Sequence, residues 1–225
     1  HLPPTTNPNL PKKFNSFYYE WLKHPNYDSY WKKWQTADRF GEIDVPALHI
    51  GGWYDIFVEG NIRNYLGLKE GAMTEEARAG QKLVIGPWYH MPWTQAMGEM
   101  DFGREARNRT DEMMVRWFDH WLRGIDNGIM DEPPVTVFVQ KYTTPNRTLD
   151  VVPGHWRDEA DFPAAGTKEL LFHLSPGGKL ASDVQKVGAE ESDHDEEPYD
   201  EYQYIPTVGT QSSFWSTISE RSSIR

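Results

Sequence analysis

Two short tails in the sequence carry side chains suited to proton transfer. Gly51-Gly52-Trp53-Tyr54-Asp55 follows one apolar run, and Gly86-Pro87-Trp88-Tyr89-His90 follows another. An Asp set beside a His has a specific use. The carboxylate accepts a hydrogen bond from one ring nitrogen and fixes the tautomer. The other nitrogen is then able to take a proton from a nucleophile. An Asp in a turn or a His after a strand is, taken singly, more often structural. The reading rests on the two occurring in matched contexts.

The elements that must bring them together are legible as periodicity. Residues 43–52, Ile-Asp-Val-Pro-Ala-Leu-His-Ile-Gly-Gly, form a short apolar run before a Gly pair, the pattern of a buried parallel strand. Residues 82–86, Lys-Leu-Val-Ile-Gly, predict a second one, and a helix is expected between them within Phe57 to Leu68. Two such strands with one crossover helix lie side by side with a right-handed connection. Their carboxyl ends then share the sheet edge where ligands and catalytic groups collect. The 35-residue separation of Asp55 and His90 suits one strand–helix–strand unit. The order acid, then His, late in an α/β sheet matches the Ser, acid, His order of α/β-hydrolases.

Around this unit the chain divides in two. Residues 1–13 read as a Pro- and Asn-rich loop. Residues 14–34 hold nine aromatic rings, so they either wall a pocket or form a packed cluster between short helices; Pro25 interrupts them, and Asn26 or Asp28 starts the second helix. A strong helix is predicted over about 105–123, with Met113, Met114, Trp117, Phe118, Trp121 and Leu122 on one face and Gly124 as C-cap. Beyond Gly128 the pattern turns to β. Val135–Val139 and Glu169–Leu174 read as strands, and Pro176-Gly177-Gly178 as a turn. The expected organisation is therefore an α/β part over 1–130 and an all-β part over 131–225, joined at Pro133-Pro134.

Composition excludes several classes. The 225 residues contain no Cys, which removes disulfides, thiolate metal sites and a Cys nucleophile, and fits either the cytosol or secretion. A net charge of −11 argues against sequence-independent nucleic-acid binding. Eight of the 34 acidic residues lie between Glu190 and Glu201, so the acidity is largely one local segment. Its spacing does not match an EF-hand, and it reads as a solvated loop rather than a Ca²⁺ site. No apolar run is long enough for a transmembrane helix. His49 alternates with Leu48 and Ile50 and is expected buried and hydrogen-bonded; His120 is expected as a helix-surface or interdomain contact. His49, Asp55 and His90 lack the spacing of a metal site, so no metal or organic cofactor is expected. Asn108-Arg109-Thr110 and Asn146-Arg147-Thr148 match the glycosylation acceptor pattern, which is common by chance.

Four stretches carry a family resemblance: His24–Trp31, Ile43–Asp55, Gly86–His90 and Arg116–Gly124. In that order they resemble the C-terminal portion of the serine acyl hydrolases that include cocaine esterase, α-amino acid ester hydrolases, glutaryl-cephalosporin acylases and Xaa-Pro dipeptidyl-peptidases. The resemblance implies an α/β-hydrolase domain, with the end of its helical cap within about residues 1–40, and a jelly-roll domain beginning within Pro133–Leu180. It implies Asp55 as triad acid and His90 as triad base, with Trp53, Tyr54 and Trp88 facing the substrate pocket.

The nucleophile departs from this pattern. No Gly-x-Ser-x-Gly elbow occurs in the chain, and Ser212 and Ser213 stand in the wrong place and order. The oxyanion-hole donors of the family also belong upstream. With its start at His1, the chain is expected to be a piece of a longer polypeptide whose remainder carries the Ser. The implied substrate is a small ester or amide, cleaved through an acyl-enzyme. The alternatives are a non-catalytic jelly-roll binding module, separated by whether the remainder carries a Ser elbow, and a scaffold derived from a hydrolase, separated by reactivity with a fluorophosphonate probe.

Overall fold

A computed structural model of the chain describes residues 11–13, 15–90, 95–97, 100–107, 109–142, 151–175 and 179–182. Strand β2 (Gln81–Gly86) is buried along its whole length. That burial suits its Leu-Val-Ile centre, because a strand flanked on both sides needs apolar residues on both faces. On one side β1 (Ala47–Gly52) runs parallel to it, from Ala47 opposite Gln81 to Gly52 opposite Gly86. On the other side β5 (Val135–Gln140) is also parallel, and β6 (Gly154–Glu159) adds antiparallel, giving the order β1-β2-β5-β6.

The crossover from β1 to β2 is made by α3 (Val58–Gly71) and α4 (Glu75–Ala79). Tyr65 of α3 packs on Leu83, Ile85, Val135 and Val137, with Val58, Ile62, Val139 and Phe162 around them. Full burial pushes the Tyr65 hydroxyl up to about 12, with Asp161 contributing. Thr74 caps α4 by accepting the Ala77 N–H at 3.1 Å. On the opposite face of β5, Phe138 joins Phe102, Ala106 and Val152 in a second cluster.

The run Val135–Val139, expected at the start of an all-β part, extends the sheet of β1 and β2, with Leu83 opposite Val135 and Ile85 opposite Val137. Local composition does not reveal which sheet a strand joins; the long-range ladder decides that. Lys82 reinforces the join, donating from its buried ammonium to the carbonyls of Glu132 (2.8 Å) and Pro133 (3.0 Å). Two short antiparallel pairs stand apart from this sheet: β3 (Ala96–Met97) with β4 (Met100–Asp101), and, beyond β6, β7 (His173–Ser175) with β8 (Lys179–Ala181). Residues 169–172, expected in that strand, are outside it. The turn 176–178, the acidic stretch, Ser212, Ser213, Asn108 and Asn146 lie outside the described residues.

Helix α1 (Ser16–Trp21) and helix α2 (Ser29–Lys32) carry the N-terminal rings, and Asp28 caps α2 through the Tyr30 N–H. The rings contact one another, Phe17 with Trp21 and Trp21 with Trp31. Helix α5 (Thr110–Arg123) ends as expected at Gly124, at φ 68°, with the Gly124 and Ile125 N–H groups returning to the His120 and Asp119 carbonyls. Its apolar face is only partly covered. Trp117 is buried, while Phe118 and Leu122 are exposed. Among the described residues no helix is long and apolar enough to cross a membrane.

Candidate active site

The β1–β2 ladder does not stop at the strand ends. Trp53 donates its N–H to the Gly86 carbonyl at 2.9 Å, and Tyr54 to the Trp88 carbonyl at 3.0 Å. The Asp55 N–H then turns back to the Gly52 carbonyl at 2.9 Å. These main-chain bonds carry the two tails in step past the sheet edge. His90 Nδ1 and Asp55 Oδ2 end 3.1 Å apart, within hydrogen-bond range. The Asp55 side chain is 7% exposed and the His90 side chain 45%. A shielded carboxylate thus holds one nitrogen of a ring that reaches solvent.

Glycine makes this approach feasible. A Cβ on Gly52 would overlap the Trp88 carbonyl, and one on Gly86 would overlap the Trp88 ring. Trp88 itself is 1% exposed and donates its indole N–H to the Ala106 carbonyl at 3.0 Å. The ring, expected to face a substrate pocket, fills the interior beneath the tail and anchors it. Tyr54 also turns inward, donating its hydroxyl to Gln140 Oε1 at 3.1 Å and packing on Phe102. Trp53 is the partly exposed member. Its indole N–H reaches the Phe138 carbonyl at 2.8 Å, and the ring walls a cavity of about 460 Å³ with Val137, Val139, Phe162 and Pro163.

Phe57 is the site residue that the sequence reading missed. Its N–H donates to Asp55 Oδ1 at 2.9 Å, and its ring meets the His90 ring edge-to-face, centroids 5.2 Å apart. The available signal was its position two residues after an Asp at a helix start, where an Asp side chain commonly bonds the backbone two residues on.

Other titratable groups near these elements have partners elsewhere. Glu59 pairs with Arg63 at 2.7 Å, and Asp101 accepts from Gln95 Nε2 and the Gly103 N–H. His49 is buried and bonds Gln81 Oε1 at 2.9 Å; desolvation holds its imidazole below the usual histidine range. His120 stacks edge-on against Trp121. Among the described residues, no group of three or more His, Asp or Glu side chains could hold a metal ion.

Residues 6–92 match the family described as X-Pro dipeptidyl-peptidase (S15 family). Cocaine esterase of Rhodococcus sp. (strain MB1 Bresler) is 31% identical over 170 residues, 74% of this chain and 26% of that protein. A Bacillus cereus protein that carries an Xaa-Pro dipeptidyl-peptidase name is 32% identical over 153 residues, 68% of this chain and 22% of its own length. The crystal structure of an aminopeptidase from a marine sediment Thaumarchaeota archaeon superposes with a TM-score of 0.58 at 20% identity, over 77% of this chain and 27% of that one.

These findings set the fold beside that of hydrolases, with the family match lying over residues 6–92. The chain is similar to cocaine esterase and the X-Pro dipeptidyl-peptidases, as the four sequence stretches imply. It spans about a quarter of the length of the relatives it matches, consistent with their C-terminal portion.

Proposed function

We propose that the chain supplies the acid and base of a serine acyl hydrolase acting on esters or amides of small acyl groups. The observation that carries this reading is the 3.1 Å contact of His90 Nδ1 with Asp55 Oδ2 at the carboxyl edge of a parallel sheet. Asp55 holds the tautomer with the Nδ1 proton. The remote nitrogen, Nε2, takes the proton of a Ser hydroxyl as the oxygen attacks the acyl carbon, and returns it to the leaving alkoxide or amine. A water then repeats the sequence on the acyl-enzyme. The Ser and the oxyanion-hole donors belong to the remainder of the hydrolase polypeptide. Residues within 1–40 form the end of a cap over the acyl pocket, and a jelly roll begins in the β-rich part after β6.

The test is reaction of the complete hydrolase with a fluorophosphonate probe. Labelling of one Ser is expected, and it is lost or slowed by orders of magnitude in His90→Ala with the melting temperature retained. Equal labelling in His90→Ala would remove His90 from the reaction. The 225-residue chain by itself is expected to hydrolyse p-nitrophenyl acetate no faster than free imidazole. Saturable turnover by it, blocked by the probe, would place a nucleophile inside the chain.

A further inference from the structure

We infer that Phe57 is a positioning residue for His90: its main chain fixes the Asp55 carboxylate, and its ring fixes the plane of the imidazole. The inference rests on the reading of Asp55 and His90 as acid and base.

The carboxylate is held at both oxygens. Phe57 N–H takes Oδ1 at 2.9 Å, and His90 takes Oδ2 at 3.1 Å. Rotation that would exchange the oxygens breaks the first bond, so the one facing His90 stays in place. The imidazole poses a separate problem. A hydrogen bond at Nδ1 sets the distance to Asp55 but permits turning about its own line, and nearly half of the His90 side chain lies in solvent. The Phe57 ring lies against the imidazole at 5.2 Å between centroids and 67° between planes, the edge-to-face arrangement that aromatic pairs prefer. It blocks that turn and keeps Nε2 directed away from Asp55.

One further point favours this role. Phe57 is 50% exposed, so burial of its own apolar surface gives only part of the reason for its placement. One residue, at the start of α3, thus acts on the orientation of both members of the pair.

The experiment is long-range ¹H–¹⁵N NMR of the His90 ring in the 225-residue chain, for the parent, Phe57→Leu and Phe57→Tyr. The parent is expected to show one neutral tautomer with the proton on Nδ1. Phe57→Leu, with an unchanged backbone spectrum, is expected to show a mixture, and Phe57→Tyr to restore the single form. Phe57→Met serves as a second ring-free variant if the Leu variant does not fold. In the complete hydrolase, Phe57→Leu should lower kcat on a small acetate ester roughly three- to tenfold with KM about unchanged, and Phe57→Tyr should recover it. An unaltered tautomer in both ring-free variants would overturn the inference. So would a raised KM at constant kcat, which would make Phe57 a substrate contact instead. A parent ring protonated on Nε2 would refute the acid–base reading itself, whatever Phe57 does.

Discussion

Asp55 sits at the narrowest point of the site, because its carboxylate serves two donors with one oxygen each. Replacing it by Asn keeps size and shape but substitutes an NH₂ for one acceptor. Whichever way the amide turns, one donor loses its partner or the ring adopts the other tautomer. In a serine-protease precedent the same exchange costs roughly 10⁴ in kcat, about 5.5 kcal/mol of barrier. Asp55→Asn in the complete hydrolase is expected to lose kcat on that order with a nearly unchanged melt. Near-normal kcat would mean that another carboxylate orients His90. Glu59 and Asp101 are poor substitutes, since each has its own partners. At this scale the sequence was informative about Asp55 and His90, because each follows a strand in a matched tail. It was uninformative about Trp88. A Trp in a Gly-Pro-Trp-Tyr turn reads equally as pocket wall or as interior anchor, and only the bond to Ala106 separates the two.

Between residues and the whole stand the two glycine-led tails. Gly86→Ala forces a methyl into the Trp88 ring, and overpacking of this kind costs about 1–3 kcal/mol. The expected melting temperature is several degrees lower, with the Asp55–His90 bond weakened and kcat reduced along with it. Gly60→Ala is the control. Nothing lies within 4 Å of a Cβ there, and Gly60 is inside α3, so a gain of about 0.5–1 kcal/mol is expected. If both variants melt alike, the close approach at Gly86 is not what places the tail. The existence of β1, β2, α3 and α5 could be read from period and punctuation, as could the Gly124 cap. The allegiance of β5 could not. Val135, Val137 and Val139 alternate as any strand would, and the choice of partner depends on the side of β2 left open after the crossover.

For the molecule as a whole, the buried His49 ties folding to pH. Burial depresses its imidazole, and the Gln81 bond only partly opposes that. The unfolded chain, titrating near 6.5, therefore binds a proton at a pH where the folded chain does not. The stability due to His49 is full above about pH 6.5 and declines as pH falls from there toward the depressed folded value. Melting curves from pH 7.5 to 5.5 should show the parent losing stability more steeply than His49→Gln, which cannot titrate. Parallel curves would assign the acid sensitivity to other groups. The apolar face expected of α5 is covered only in part: Trp117 is buried, while Phe118 and Leu122 remain exposed. A helix's own pattern states how much apolar surface it offers, not how much its neighbours cover.

The main-chain bonds that extend the β1–β2 ladder into the tails have a consequence for how such a site can diversify. The spacing of Asp55 and His90 is written in peptide groups and in two absent side chains, at Gly52 and Gly86. It takes little from the residues that wall the neighbouring cavity. Val139, Phe162 or Pro163 can therefore be exchanged without retuning the pair. The lining of the cavity and the spacing of Asp55 and His90 thereby become separately inheritable traits, and a chain of this design can vary the first while the second stays constant.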